Sequence, residues 1–195
     1  MPKRIALFGG SFDPPGTHHR LVAIKMAQAF EEVVVIPCGF RTDGKRAVNR
    51  TPVGFRASMV QETFGGIARV RCDFSDLYRT NQSFEKTWEL IQRYQSAGEV
   101  WVVVGADLVK KDAEGHSQIH GWSKGEALWQ SARFAVIGRP GVSLEPQDLP
   151  PHRQLFSGVP GSSTDIRTRI KAGQPIVGLV VLSVDHLIHL HGLYR

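Results

Sequence analysis

Short apolar runs alternate with segments of helical periodicity along most of the chain. The runs are rich in β-branched residues and have no polar face, which is typical of strands buried on both sides of a parallel sheet. They predict strands at 4–9, 32–37, 67–72, 99–104 and 133–137, with a last short one at 152–156. The pattern therefore predicts a sheet of parallel strands joined by helices.

The segments between the strands carry helix-start signals. They predict helices that begin near 17, 51, 83, 122, 162 and 183, the second ending near 64, the fourth at 130 and the last at 191. Thr51 is the expected N-cap of the second helix, with Pro52 at its first position. Ser162 with Asp165 resembles a capping box. The fold class is thus α/β, a Rossmann-like parallel sheet with helices on both faces, in a single domain spanning 1–195.

The turn after the first strand reads Gly9-Gly10-Ser11-Phe12-Asp13-Pro14-Pro15-Gly16-Thr17-His18-His19. Glycines let a ligand approach the backbone, and the helix that follows presents unpaired N–H groups and the positive end of its dipole. The two histidines add donors for a phosphate. An ordinary tight turn with exposed histidines explains the local spacing equally well. The stretch lacks both G-x-G-x-x-G and G-K-[ST], which argues against a dehydrogenase or a P-loop enzyme.

Ligands of parallel sheets bind outside the carboxyl ends of the strands. Four loops fall at that edge, at 9–19, 37–50, 105–107 and 138–141, and the helix start at 162–167 is a candidate fifth. The segment 162–167 offers hydroxyls, free N–H groups and Arg167 to a second phosphate, or it is a well-capped surface helix. Asp107 suits ribose hydroxyls or a helix cap, and Trp122 suits a stacked base or the core.

The charge balance favours an anionic partner. The 195 residues include 24 Lys and Arg against 18 Asp and Glu, a formal net charge of +6. A nucleotide, a nucleic acid or a phosphorylated metabolite would fit, but the basic residues form no long runs, which argues against nucleic acid. Cys38 and Cys72 are isolated and predict reduced thiols, and no apolar stretch approaches the length of a membrane span. We therefore expect a cytoplasmic protein that does not bind a membrane.

These motifs together resemble the nicotinate mononucleotide adenylyltransferases of the nucleotidyltransferase superfamily. That family begins with G-G-S-F-D-P-P-H-x-G-H and later carries I-S-S-T-x-I-R. This chain matches the first motif at 9–15 and at His19, and the second from Ser162 to Arg167. Between the two motifs, Gly105-Ala106-Asp107, Trp122 and Arg139-Pro140-Gly141 stand in the family's order.

The resemblance implies transfer of AMP from ATP to nicotinate mononucleotide, or to nicotinamide mononucleotide, with Mg²⁺ arriving with ATP. The partners would be ATP and a pyridine mononucleotide, and a homo-oligomer is compatible with the sequence, which does not specify one. Catalytic roles are implied for His19, His18 and Arg167. Nucleotide-binding roles are implied for Gly9, Gly10, Ser11, Phe12, Lys45, Arg46, Thr87, Gly105, Asp107, Trp122, Arg139, Ser163 and Thr164. No dedicated metal ligands are implied, and His186, His189 and His191 are interpreted as a polar helix surface.

The chain departs from the family pattern within the first motif. Gly16 stands where the family has its first histidine, and His18 stands where the family has glycine; Gly161 replaces the isoleucine of the second motif. Three consequences stay open: His18 substitutes for the displaced imidazole, activity is weakened, or the acceptor differs. The alternative functions are a nucleotidyltransferase for another phosphorylated acceptor and a degenerate nucleotide-binding protein.

Overall fold

The computed structural model describes residues 2–39, 51–79 and 84–195. One sheet contains six strands in the order β3-β2-β1-β4-β5-β6, and every neighbouring pair is parallel. The strands are β1 (Arg4–Gly10), β2 (Glu32–Pro37), β3 (Val70–Cys72), β4 (Glu99–Gly105), β5 (Arg133–Ile137) and β6 (Arg153–Phe156). The predicted Rossmann-like parallel sheet is confirmed.

The described helices cover both faces of this sheet. They are α1 (Thr17–Ala29), α2 (Val53–Phe64), α3 (Thr87–Tyr94), α4 (Ala106–Val109), α5 (Gly125–Ser131), α6 (Ser163–Lys171) and α7 (Leu182–Leu190), with a 3₁₀ turn at Pro146–Asp148. Alternate residues of β1 enter different cores. Ala6 and Phe8 pack with Met26 of α1, whereas Ile5 and Leu7 pack with Tyr94 of α3. Burial on both faces explains why the strands are apolar throughout.

The strand order reverses at β1: β2 and β3 lie on one side of it, and β4, β5 and β6 lie on the other. Leu7 lies between Val34 of β2 and Val102 of β4, and the two crossovers run to opposite sides of it. In open α/β sheets this switch point leaves a crevice at the carboxyl ends of the two central strands. The crevice therefore lies where β1 ends in Gly9 and Gly10 and β4 ends in Gly105.

The structure corrects several predicted boundaries. Pro52, not Thr51, holds the N-cap position of α2, which begins at Val53. The strand predicted from 67 begins only at Val70, because the preceding residues form a turn in which Val70 donates its N–H to the Ile67 carbonyl. The helix predicted from 122 begins at Gly125. The predicted cap of the third helix at residue 83 lies outside the described residues, and that helix begins at Thr87.

Among the described residues, no helix is long and apolar enough to cross a membrane. Neither cysteine forms a disulfide.

Candidate active site

Two cavities open at the carboxyl ends of β1 and β4, with volumes of about 380 and 680 Å³. We call the smaller one the imidazole cavity, after His18 and His19, and the larger one the tryptophan cavity, after Trp122. Five residues line both cavities and form their common wall: Gly9, Ser11, Val103, Val104 and Leu108. Because the cavities share this wall, two ligands bound in them would meet beside the glycine turn.

Helix α1 presents His19 to the imidazole cavity. The N–H of Gly16, which caps the helix, donates to Nδ1 of His19 over 3.0 Å. A ring nitrogen that accepts a hydrogen bond carries no proton, so the proton of the neutral ring resides on Nε2. Phe12 packs edge-on against the ring with centroids 5.1 Å apart. His19 is thereby held in one tautomer and one orientation, with Nε2–H as its remaining donor.

Both imidazoles are neutral near pH 7. Burial, aided by the positive charge of Arg139, lowers the pKa of His18 to about 4. Burial likewise lowers the pKa of His19 to about 3, aided by His18 and Arg139. The two rings lie 3.9 Å apart between centroids. An anion bound beside them would oppose these effects and raise both pKa values.

The start of α6 completes the imidazole cavity by docking onto the first loop. The Ser163 hydroxyl donates to the carbonyl of Pro14 over 2.8 Å. Arg167 donates from Nη1 to the carbonyl of Asp13 over 2.7 Å and from Nη2 to Oγ1 of Thr164 over 3.1 Å. Two motifs almost 150 residues apart are thus joined by direct hydrogen bonds, as the strand-end argument predicted.

Ser162 is the N-cap of α6, as predicted, but the capping box does not form. Ser162 accepts from the N–H of Thr164 over 3.2 Å. Asp165 pairs with Arg169, 3.0 Å away and one turn further along, so the predicted capping box with Ser162 is wrong. The shorter reach of an aspartate favours the pair within the helix over the return to the N-cap.

Asp107 and Arg139 form an ion pair at the mouth of the imidazole cavity, with 2.8 Å between Oδ2 and Nη1. The other carboxylate oxygen, Oδ1, is buried and has no hydrogen-bond partner among the described residues. A methyl group at Gly105 would come within 2.5 Å of that oxygen, so a side chain there would require the carboxylate to move. A buried acceptor without a partner is costly unless a ligand satisfies it. This oxygen suits a hydroxyl donor such as that of a sugar.

The tryptophan cavity presents apolar and polar surface in similar amounts. Its walls include Leu7, Ile36, Leu90 and Val102, with half-buried Trp122 in the turn before α5. Thr87 lines the same cavity as the first residue of α3, so the unpaired N–H groups of a helix start lie at its edge. Such a cavity can hold a flat ring, with the helix start beside one end of it.

Two buried acids also line the tryptophan cavity, and both are engaged within the protein. Asp76 accepts from the backbone N–H groups of Gly39 and Glu85. Glu85 lies 3.3 Å from Arg93 and 3.5 Å from Arg79, while burial raises its pKa. These bonds tie the end of β2 to the start of α3.

Comparison with known proteins places the fold and site in a family. Residues 7–169 match the cytidylyltransferase-like family model. A protein of Leifsonia xyli subsp. xyli named "Probable nicotinate-nucleotide adenylyltransferase" is 33% identical over 198 residues, covering 98% of this chain and 94% of the relative. The chain belongs to the nicotinate-nucleotide adenylyltransferase family.

Further adenylyltransferase relatives agree over the same length. One from Thermus thermophilus, of the same name, is 31% identical and covers 98% of this chain and all of its own length. A solved structure, "Plasmodium falciparum nicotinic acid mononucleotide adenylyltransferase complexed with NaAD", superposes with a TM-score of 0.79 at 21% identity. It covers 98% of this chain and 97% of its own, and at this identity it shows the shared fold.

Most residues that resemble the adenylyltransferase motifs lie in the two cavities. The imidazole cavity gathers Gly9, Ser11, Phe12, His18, His19, Gly105, Asp107, Arg139, Ser163, Thr164 and Arg167, and the tryptophan cavity gathers Gly10, Thr87 and Trp122. Phe12 is 2% exposed and supports His19, so it acts mainly through packing. Lys45 and Arg46 lie outside the described residues. Within the described ranges, no group of three His, Cys, Asp or Glu residues is arranged to hold a metal ion.

Two anchors of the first loop come from distant parts of the chain, and no contact between them and the loop was predicted. Arg56 of α2 is 2% exposed and donates from Nη1 to the carbonyl of Ser11 over 3.0 Å. The hydroxyl of Tyr194 donates to Oδ1 of buried Asp13 over 2.5 Å. An arginine in a helix and a tyrosine near the C-terminus look like surface residues locally. Asp13 is buried in the structure, and a buried carboxylate requires a partner such as the Tyr194 hydroxyl.

Proposed function

We propose that the protein transfers AMP from ATP to nicotinate mononucleotide, forming nicotinate adenine dinucleotide and pyrophosphate. The observation that carries the proposal is the pair of cavities sharing the wall at Gly9 and Ser11, one lined by donors for phosphate and the other suited to a flat ring. The names of the relatives above support it, as does the Plasmodium structure, which is a complex with NaAD.

The imidazole cavity is the proposed site of the ATP phosphates. Arg167, the hydroxyls of Ser163 and Thr164, and the N–H groups that begin α6 would hold the β and γ phosphates. His19 would donate from Nε2 to the α phosphate. Arg167 is already fixed by its bond to the carbonyl of Asp13, so its remaining N–H groups need little rearrangement when charge develops. Ser163 would have to turn its single O–H donor from the carbonyl of Pro14 towards the phosphate.

The tryptophan cavity is the proposed site of the acceptor. Trp122 would stack on the pyridine ring, and Oδ1 of Asp107 would accept a ribose hydroxyl at the shared edge. The start of α3 at Thr87 favours a carboxylate on the ring over a neutral amide, because a helix N-terminus attracts negative charge. We therefore propose that nicotinate mononucleotide is preferred over nicotinamide mononucleotide.

The proposed reaction is a direct displacement. An oxygen of the acceptor 5′-phosphate bonds to the α phosphorus of ATP as the bond to the bridging oxygen of the β phosphate breaks, and pyrophosphate leaves. No covalent bond to the protein is needed, so the protein contributes position and charge stabilisation. We propose that Mg²⁺ arrives with ATP, ligated by phosphate oxygens and water, and partly neutralises them. The protein donors named above would bind the remaining phosphate oxygens.

We also propose a single-domain, cytoplasmic enzyme that acts on small nucleotides and not on nucleic acid. Cys38 and Cys72 form no disulfide, which is typical of cytoplasmic proteins, and the described residues form one sheet with its helices. A homo-oligomer is compatible with this proposal.

The experiment that tests the function is pyrophosphate release by purified protein with ATP and Mg²⁺. The acceptors would be nicotinate mononucleotide, nicotinamide mononucleotide and a phosphorylated compound without a pyridine ring. We expect the highest kcat/KM with nicotinate mononucleotide. Turnover only with the third acceptor would favour the alternative transferase. Binding of an ATP analogue with no turnover on any acceptor would favour a degenerate nucleotide-binding protein.

A further inference from the structure

The three positions at which the chain departs from the family motifs meet at one point. Gly16 caps α1, His18 lies one residue inside that helix, and Gly161 precedes α6. A methyl group on Gly16 would come within 2.5 Å of Cε1 and Nδ1 of His18. One on Gly161 would come within 2.4 Å of Cγ of the same ring. The His18 imidazole therefore occupies the space that side chains at 16 and 161 would need.

The two glycines do not depend on His18 to the same degree. Gly161 has a φ of +146°, which side chains rarely adopt, so glycine is required there by the backbone as well as by the ring. Gly16 has a φ of −98° and a ψ of 168°, which any residue adopts. A side chain at residue 16 would therefore compete only for space, and the ring of His18 is the closest group that would have to move.

The space filled by His18 belongs to the imidazole cavity. The ring lies 3.9 Å from that of His19 between centroids and lines the cavity with Arg139, Thr164 and Arg167. The low pKa of His18 follows from its burial there and from Arg139, the same cation that acts on His19. His18 thus shares the surroundings of the ring that is proposed to contact phosphate.

We infer that His18 supplies a second phosphate-contacting imidazole in the site, and that residue 16 is glycine because this leaves room for the ring. This inference rests on the proposed function. The residues at positions 16 and 18 then depend on each other: residue 18 supplies the imidazole, and residue 16 leaves space for it. The displaced histidine of the family motif is then replaced and not lost.

A double-mutant cycle on Gly16 and His18 tests the inference, with kcat for pyrophosphate release as the readout. We expect His18→Ala to lower kcat on the order of 10²-fold, as for the loss of one preorganised donor. Gly16→Ala should lower it comparably, because the methyl displaces the ring. Gly16→Ala should then have little further effect in the His18→Ala background. Gly54→Ala is the matched control, since a methyl there meets no atom within 4 Å.

Two further variants separate a phosphate contact from simple filling of space. His18→Phe keeps a ring in the gap but has no N–H, so we expect it to lose activity as His18→Ala does. Gly16→His alone should be impaired because two rings compete for one space, and Gly16→His combined with His18→Gly should recover most of the activity.

The results that would overturn the inference differ from those that would overturn the function. The inference is wrong if His18→Phe turns over at the full rate, or if the effects of Gly16→Ala and His18→Ala on kcat are independent. In either case the unmodified protein would still turn over nicotinate mononucleotide, and the proposed function would stand. Absence of turnover by the unmodified protein on every acceptor would overturn the proposed function and the inference together. Thermal melts of each variant would show that the comparison is made between folded proteins.

Discussion

The imidazole cavity and the tryptophan cavity share one wall but are built in different ways. The donors of the imidazole cavity are fixed by hydrogen bonds between distant segments, such as that from Arg167 to Asp13. The tryptophan cavity is shaped by apolar side chains, and its acids, Asp76 and Glu85, are engaged by neighbouring N–H groups and arginines. Fixed donors suit charge that changes during a reaction, whereas apolar walls beside a tryptophan suit recognition of a ring.

The difference also concerns charge at neutral pH. The two histidines of the imidazole cavity are neutral because burial and Arg139 lower their pKa values to about 4 and about 3. Its positive charge therefore comes from Arg139 and Arg167. A neutral imidazole donates one hydrogen bond without the desolvation cost of a buried cation. This cavity can thus meet phosphate with a mixture of fixed cations and neutral donors.

The largest predicted loss of activity follows substitution of His19. It tests whether the imidazole cavity, unlike the tryptophan cavity, acts through fixed hydrogen-bond donors. In His19→Asn the side-chain oxygen can still accept from the Gly16 N–H, but the donor at the position of Nε2 is lost. In His19→Gln the amide nitrogen can reach that position. We expect kcat to fall about 10²–10³-fold in His19→Asn and less in His19→Gln, from steady-state pyrophosphate release.

His186→Ala, an exposed histidine of α7, is the matched control for removing an imidazole. Activity of His19→Asn near that of the unmodified protein would show that Nε2 contributes no essential donor, and would break the contrast between the cavities.

A smaller predicted effect concerns the protonation of the imidazoles. Arg139→Met removes a positive charge near both rings, so the pKa values of His18 and His19 should rise. They should stay below the ordinary value of about 6.5, because burial is the larger cause and remains. NMR titration of the imidazole C–H signals measures this shift.

Arg133→Met provides the control for that titration, since Arg133 pairs with Glu99 at the opposite ends of the strands. It should leave both histidine pKa values unchanged. Equal shifts in the two variants, or a fall in Arg139→Met, would contradict the assigned cause.

Periodicity predicted the sheet, and that success has a local origin. The roles of the site residues came from the resemblance to the family motifs, and they stay predictions. A continuous apolar run such as 100–104 has few alternatives to a buried strand, and strand-end geometry then brings 9–19 and 162–167 together. The failures depend on contacts across the chain. Arg56 and Tyr194 hold the first loop from α2 and the C-terminus, and neither bond leaves a local pattern.

Helix starts were the weaker predictions because several residues compete for each cap. Thr51 was the better cap by residue type, yet α2 begins two residues later, and Pro52 takes the cap position. Trp122 lies three residues before α5, in a turn where its carbonyl accepts from the N–H of Gly125. The aromatic side chain of Trp122 indicated a candidate ring-binding residue, but it did not predict where the helix begins.

The most direct test of the two-cavity account measures binding of each ligand to a variant of each cavity. Isothermal titration would use a non-hydrolysable ATP analogue and nicotinate mononucleotide separately, with Trp122→Ala and Arg167→Ala. Trp122→Ala should weaken mononucleotide binding about tenfold or more, by loss of stacking, and spare the ATP analogue. Arg167→Ala should do the reverse, by loss of a charged hydrogen bond. If both folded variants lose affinity for the same ligand, or if each loses affinity for both ligands equally, the assignment of one ligand to each cavity is wrong.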